Sequence, residues 1–221
     1  MDNRRRMMLA TLGGGIPLSD LPEGSILKIA EKGVLKDFYV AKHNYESGLN
    51  GAGKTLVVRK DCYDKRRWHS SNVNAYATSD IDAWLNGDYK ALLSSKVQKA
   101  IKTTKFYYTP GNGNKVVSTL ERAVFLLSAS EFGKTSAYYN EEGTVLPIAS
   151  KLNIGYLNGV AVEQLTRTPY KNSTTQAEYV QTSGDIAGSY CTRVCGSRPI
   201  FTLPKNAPCE LNADGSDTLL M

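Results

Sequence analysis

Val160-Ala-Val-Glu-Gln-Leu-Thr-Arg-Thr-Pro169, Glu178-Tyr-Val-Gln-Thr-Ser-Gly-Asp-Ile-Ala-Gly-Ser-Tyr-Cys-Thr-Arg-Val194 and Arg198-Pro-Ile-Phe-Thr-Leu-Pro204 are the stretches that decide the fold. They carry β-branched and aromatic residues in partial alternation with polar ones, the pattern of half-buried strands. Ser183-Gly184-Asp185 supplies a hairpin turn inside the second stretch. From Val160 to Leu203 the chain therefore predicts a β-meander.

The same reading extends toward the N-terminus. Ser25–Ala30 alternates, Lys32-Gly33 is a turn signal, and Phe38–Lys42 is a second strand, which together predict a hairpin. Thr55–Arg59 and Lys105–Tyr108 are further strands, and Ala123–Ser128 is a buried strand or short helix. Ser79 or Asp80 can cap a helix whose apolar positions are Ile81, Trp84 and Leu85, with Gly87 breaking it. Short helices are also expected at Ser95–Ile101 and Leu146–Leu152. Residues 1–20 read as a basic arm, 21–204 as a single mixed helix-and-strand domain, and 205–221 as a loose polar tail.

Of the 221 residues, 41% are hydrophobic, enough for a buried core and too many for a disordered chain. No stretch reaches the roughly 18 apolar residues of a membrane helix. Arg4-Arg5-Arg6 precedes Met7-Met8-Leu9-Ala10, but Gly13–Gly15 interrupts the apolar run with no clear cleavage site, so no signal peptide is expected. The net charge of +6 comes from 27 basic and 21 acidic residues interleaved along the chain. Without a basic stripe, nucleic acid is not an expected partner.

Gly48-Leu-Asn-Gly-Ala-Gly-Lys-Thr55 matches the phosphate-loop pattern letter for letter. A phosphate loop must open a helix at its Lys-Thr, whereas here a β-branched run follows, so a loop between strands is expected instead. His69 stands beside Ser70 and Ser71, but no nucleophile-elbow motif accompanies it. Cys191 and Cys195 are four residues apart, roughly 13 Å on a strand, whereas on a helix or irregular turn they could meet and hold soft copper or zinc, although two ligands alone do not make a site. No metal or other cofactor is expected. The chain has 13 tyrosines, several of them in the C-terminal loops, and tyrosine gives binding loops rigid contact area with a hydroxyl.

Three groups of segments resemble an uncharacterised domain family common in gut Gram-positive bacteria and in their phages and prophages. They are Phe38–Tyr45 with Leu56–Asp61, then Trp68–Ser71 with Asn74–Ala77 and Ser79–Asn86, and Leu165–Pro169 with Gly196–Leu203. The family signature is W-L-R-S-P followed by a closing G-x-R-P strand, and this chain departs from it at Gln164 and Thr168. The closing strand is also similar to that of the C-type-lectin-like fold of formylglycine-generating enzymes and of phage variable proteins. The resemblance implies an α+β fold, with a twisted antiparallel sheet, short flanking helices and long loops. It also implies a ligand surface at Tyr170–Val194, just before the last strand.

On that basis the expected function is a phage virion surface module, not an enzyme, that binds a host-cell glycan or protein. Tyr170, Asn172, Glu178, Tyr179, Gln181, Tyr190 and Arg193 are the candidate contacts. The arm would dock onto other virion proteins, homo-oligomers are compatible, and the protein would be made in the bacterial cytoplasm and exposed on the particle. Two alternatives are a head, collar or tail decoration protein and a copper-dependent cysteine oxidase. The second rests on the likeness of Ser189–Cys195 to the cysteine segment of formylglycine-generating enzymes, with a spacing one residue short.

Arg167 and Arg198 are expected to be structural, because a guanidinium inside a strand motif fixes geometry through carboxylates or carbonyls. Trp68 and Trp84 are expected to be core anchors. Trp84→Ala should then cost about 3–5 kcal/mol in denaturant unfolding; an unchanged melting temperature would mean an exposed ring.

Overall fold

The structure, a computed structural model, describes residues 15–221. The Arg4–Arg6 cluster of the expected arm lies outside those residues. In chain order the strands are β1 (Ile16–Pro17), β2 (Ile26–Glu31), β3 (Val34–Lys42), β4 (Lys54–Arg59), β5 (Asp64–Arg67) and β6 (Thr104–Tyr108). Next come β7 (Ser118–Arg122), β8 (Val124–Phe125), β9 (Gly155–Leu157), β10 (Val160–Val162), β11 (Gln164–Pro169) and β12 (Gln176–Val180). The last are β13 (Ile186–Tyr190), β14 (Val194–Ser197), β15 (Ile200–Pro204), β16 (Pro208–Leu211) and β17 (Asp217–Leu219).

The N-terminal hairpin forms as its pattern predicts. β2 buries Leu27, Ile29 and Glu31 on one face, and Lys32 and Gly33 turn the chain through positive φ into antiparallel β3. β3 pairs with β4, and β4 with β15. Both β4 and β15 are buried along nearly their whole length, as strands covered on two faces must be. They lie side by side near the β8 edge of an eight-stranded sheet ordered β1-β16-β17-β2-β3-β4-β15-β8. A second sheet of five strands is ordered β13-β12-β11-β14-β5. With few and short helices, the molecule is sheet-rich and compatible with an α+β class.

Several expectations are corrected. The polar tail is not loose: β16 and β17 lie inside the main sheet, with β17 parallel to β2. Cys209 and Leu219 are buried there, and this alternation of small apolar and polar residues was too sparse to stand out. The described end of the arm is also packed, since Ile16 pairs with Cys209 and Leu18 and Leu21 are buried.

The meander holds only for β11, β12 and β13. β14 crosses back to the far side of β11 and runs parallel to it, with Gln164 opposite Gly196. The close approach needs a glycine, because a Cβ at Gly196 would stand 2.7 Å from the Cys62 sulfur and 3.0 Å from the Glu163 carbonyl. The G-x-R-P segment is therefore not one strand but a crossover between the sheets, broken at Arg198-Pro199. Pro199 lacks a ladder donor, and its carbonyl instead accepts the Arg59 amide at 3.1 Å.

Ser79 caps its helix by accepting from the Asp82 amide. Gly87 does not break it. Residues Leu85–Tyr89 form a π-helical turn that keeps Leu85 and Tyr89 both buried, and Asn86 ties that turn to the Val124 carbonyl. Trp68 is buried and donates to the Thr166 carbonyl, while Trp84 is 8% exposed and lies under the Arg66 guanidinium at 3.7 Å. The Gly48–Thr55 loop joins two strands, with Lys54 held by Asn50 and the Thr103 carbonyl.

Arg167 is wholly buried in β11, over the Phe106 ring. It donates to Glu131 at 2.6 Å and to the carbonyls of Tyr107, Leu126 and Glu142. Burial opposes its charge, but Glu131 more than compensates and holds it above the usual arginine range. Arg198 is held by the Leu152 and Ile154 carbonyls, and desolvation lowers it. Arg167→Ala would strand Glu131 as an unpaired buried charge, so it should cost about 3–5 kcal/mol in urea unfolding. A loss below about 1 kcal/mol would mean that Tyr45 and the Ser128 amide suffice for that carboxylate.

Candidate functional site

The Arg167 network organises a long irregular segment between β8 and the short helix Ala149–Leu152. Glu131 accepts from the Ser128 amide and from the Tyr45 hydroxyl. Glu142 accepts from the Thr109 amide and the Thr168 hydroxyl, both at 2.8 Å. Pinned at Glu131 and Glu142, the intervening residues 133–138 bulge over the β12–β13 hairpin. Between them lies a cleft of about 760 Å3, whose lining includes Lys134, Tyr138, Tyr170, Gln176, Glu178 and Gly188.

Strand alternation accounts for the floor of this cleft. Gln176 and Glu178 of β12 face it, whereas Ala177 and Tyr179 face the opposite side. Gly188 stands directly across from Glu178 in the ladder, so no side chain covers the carboxylate from β13. The missing side chain also makes room for Tyr170, because a Cβ at Gly188 would lie 2.6 Å from that ring. Tyr170 in turn stacks on Tyr138, with centroids 5.3 Å apart and planes inclined by 15°. The Lys171 amide donates to the Tyr138 carbonyl at 2.6 Å and fixes the two loops together.

Glu178 is 2% exposed, and among the described residues its carboxylate has no hydrogen-bond or ion-pair partner. Burial pushes it up to about 7. The neighbouring Tyr139 is raised to about 12, first by burial and then by the Glu178 charge, and its buried hydroxyl has no partner. The arrangement offers a flat aromatic face beside a carboxylate that can accept a hydrogen bond or balance a positive charge.

The structure thus brings together only part of the expected contact set. Tyr170 and Glu178 line the cleft; Asn172 is exposed nearby, at 3.5 Å from the Lys115 amine. Gln181 lies at the hairpin end, where its amide donates to the Asp185 carbonyl. Tyr179 and Arg193 stand outside this cleft. Tyr179 is buried on the other face with the Arg193 guanidinium 4.8 Å over its ring, and that guanidinium forks onto Glu163 at 2.6–2.9 Å. An arginine already paired and stacked has little left for a ligand.

Tyr190 is exposed and borders a depression of about 10 Å3 among Trp68, Cys191 and Cys195, too small for more than a water. Burial pushes the thiols of Cys191 and Cys195 up to about 12 and about 11, the reverse of thiolate activation. Tyr138, Lys134 and Gly188 escaped the sequence reading. The only signals for them were a tyrosine pair after a Gly-Lys-Thr-Ser turn and a glycine inside a strand.

Residues 52–205 match the family described as Domain of unknown function (DUF6273), and the chain belongs to that family, as the resemblance to an uncharacterised domain family implied. No curated protein and no solved structure matches the chain. No helix among the described residues is long and apolar enough to cross a membrane.

The raised Glu178 has a consequence for stability. The folded state holds this proton more tightly than the unfolded chain, so the contribution of Glu178 is most favourable at low pH. It declines as pH rises from about 4.5 toward 7 and is flat above. Glu178→Gln should therefore remove on the order of 2–3 kcal/mol of destabilisation at pH 8 relative to pH 4.5. Paired urea titrations of wild type and variant at the two pH values measure that difference, and a constant gap would place the carboxylate in contact with water.

Proposed function

We propose that this protein is a binding module displayed on a phage particle and that it engages a glycan on the host-cell surface. The observation that carries this reading is the Tyr138–Tyr170 stack roofing a cleft whose floor is the unpartnered Glu178. Flat aromatic faces pack against the apolar faces of sugar rings, and a recessed carboxylate accepts hydrogen bonds from ring substituents. The cleft lies on segments that precede the last crossover, where C-type-lectin-like phage proteins present their ligand surface. The sheet-rich α+β architecture is compatible with that fold, and we adopt it as the fold reading.

In this reading the protein is made in the bacterial cytoplasm, its basic N-terminal residues dock onto other virion proteins, and the β12–β13 side faces outward. No catalytic step is assigned to it. The test is saturable binding of the labelled protein to intact cells of the bacterium that carries the gene. Tyr138→Ala with Tyr170→Ala should reduce that binding at least about tenfold, the loss of roughly 1.4 kcal/mol that stacked rings supply. Arg193→Ala, on the opposite face, should bind like wild type. A folded wild-type protein that binds no cells would favour a structural decoration role instead.

A further inference from the structure

We infer that the ligand of this cleft is an amino sugar with a free, protonated amine, its nitrogen seated on Glu178 and its ring against the Tyr138–Tyr170 pair. This rests on the receptor-binding reading above and names the chemistry of that receptor.

Four other buried carboxylates of this protein are satisfied from within. Glu31 is paired with Arg59 and with the Tyr89 hydroxyl. Asp82 is paired with Arg122, and Glu131 with Arg167. Glu142 accepts from a backbone amide and a hydroxyl. Glu178 is as buried as these and lacks both a counter-charge and a donor, yet it faces a cleft and not the core. Its oxygens are not among the buried atoms left without a partner, so they stay open to the cleft, where a donor from outside can complete them. A primary ammonium completes them twice over, with N–H donors and with charge.

The surroundings select the rest of the ligand. An ammonium held on Glu178 would lie close to Tyr170, and aromatic rings attract cations. The cleft is large enough for a sugar ring, and Thr135, Ser136 and Gln176 line it as partners for hydroxyls. The titratable and charged groups that face Glu178 are Tyr139, Tyr138 and Tyr170 around it, with Lys134 and Asp185 on the lining. Lys134 makes no ion pair among those described, and Asp185 accepts from the Ser183 hydroxyl at 2.8 Å. Binding of a cation is therefore coupled to ionisation of Glu178 itself.

Calorimetric titration of the full chain with glucosamine, N-acetylglucosamine, glucose and lysine amide at pH 7.5 tests this. Glucosamine should bind at least about tenfold more tightly than N-acetylglucosamine, about 1.4 kcal/mol, and lysine amide should be weaker than glucosamine because it lacks the ring. Lowering the pH to 5.5 should weaken glucosamine roughly tenfold or more as Glu178 takes its proton. Glu178→Gln should erase both the amine preference and the pH dependence while leaving the melting temperature intact or raised. Gly188→Ala, which keeps the carboxylate but displaces Tyr170, should weaken every sugar.

Equal affinity for glucosamine and N-acetylglucosamine, or a preference that survives in Glu178→Gln, would overturn the inference. Lysine amide binding as tightly as glucosamine would overturn the sugar assignment. If none of the probes binds while the wild-type protein still binds cells, the amine inference fails and the receptor reading stands. If cell binding is absent as well, both fail.

Discussion

A single buried guanidinium governs the layout of this protein. Arg167 sits in the middle of the second sheet with no access to water, and its donors reach three separate segments: the end of β6, the chain after β8, and the loop at Glu142. A buried ion pair by itself is weak grounds for stability, because desolvation offsets much of the attraction. Its strength here is geometric. The fork directions of one arginine, with a carboxylate and three carbonyls already committed to it, leave few alternative paths for the irregular segment. That segment has almost no regular hydrogen bonding of its own, so its course is set from within the sheet it crosses.

The cleft inherits this order. Tyr138 stands where it does because its loop is tied down at both ends by carboxylates of the Arg167 network. Tyr170 stands where it does because Gly188 leaves a gap in β13. The two faces of the β12–β13 hairpin contrast sharply. On one, Arg193, Glu163 and Tyr179 satisfy one another. On the other, Glu178 is left without a partner in a recess. One face is chemically closed and the other is open, although the same two strands build both.

Much of the architecture could be read from sequence because it is periodic. The β2–β3 hairpin, β4 and the Ser79 cap all announce themselves through alternation or capping chemistry. What could not be read is what depends on distant partners. The crossover at Gly196 is imposed by Cys62 and Glu163, far away in the chain, and the meander pattern gave no hint of it. Gly87 looked like a helix breaker, but tertiary contacts at Leu85, Tyr89 and Asn86 carry the helix through it as a wider turn. For the site, Tyr170 and Glu178 were legible as polar and aromatic residues in the right stretch. Arg193 and Tyr179 looked the same in sequence, and only the alternation of strand faces separates the two pairs. Tyr138 comes from another segment altogether, brought in by Arg167.

The placement of β17 bears on how the chain reaches this state. It is inserted between β16 and β2, with Asp217 opposite Leu27, so two strands separated by almost the whole chain are direct neighbours in the main sheet. Pairings of such long sequence separation are slow to form, because loop closure must precede any gain from contact. During synthesis the edge of β2 emerges first and stays unpaired until the last of these strands has left the ribosome. A nascent chain therefore carries an open, partly apolar strand edge for most of its elongation, which is the period when it is most exposed to mispairing with its own copies.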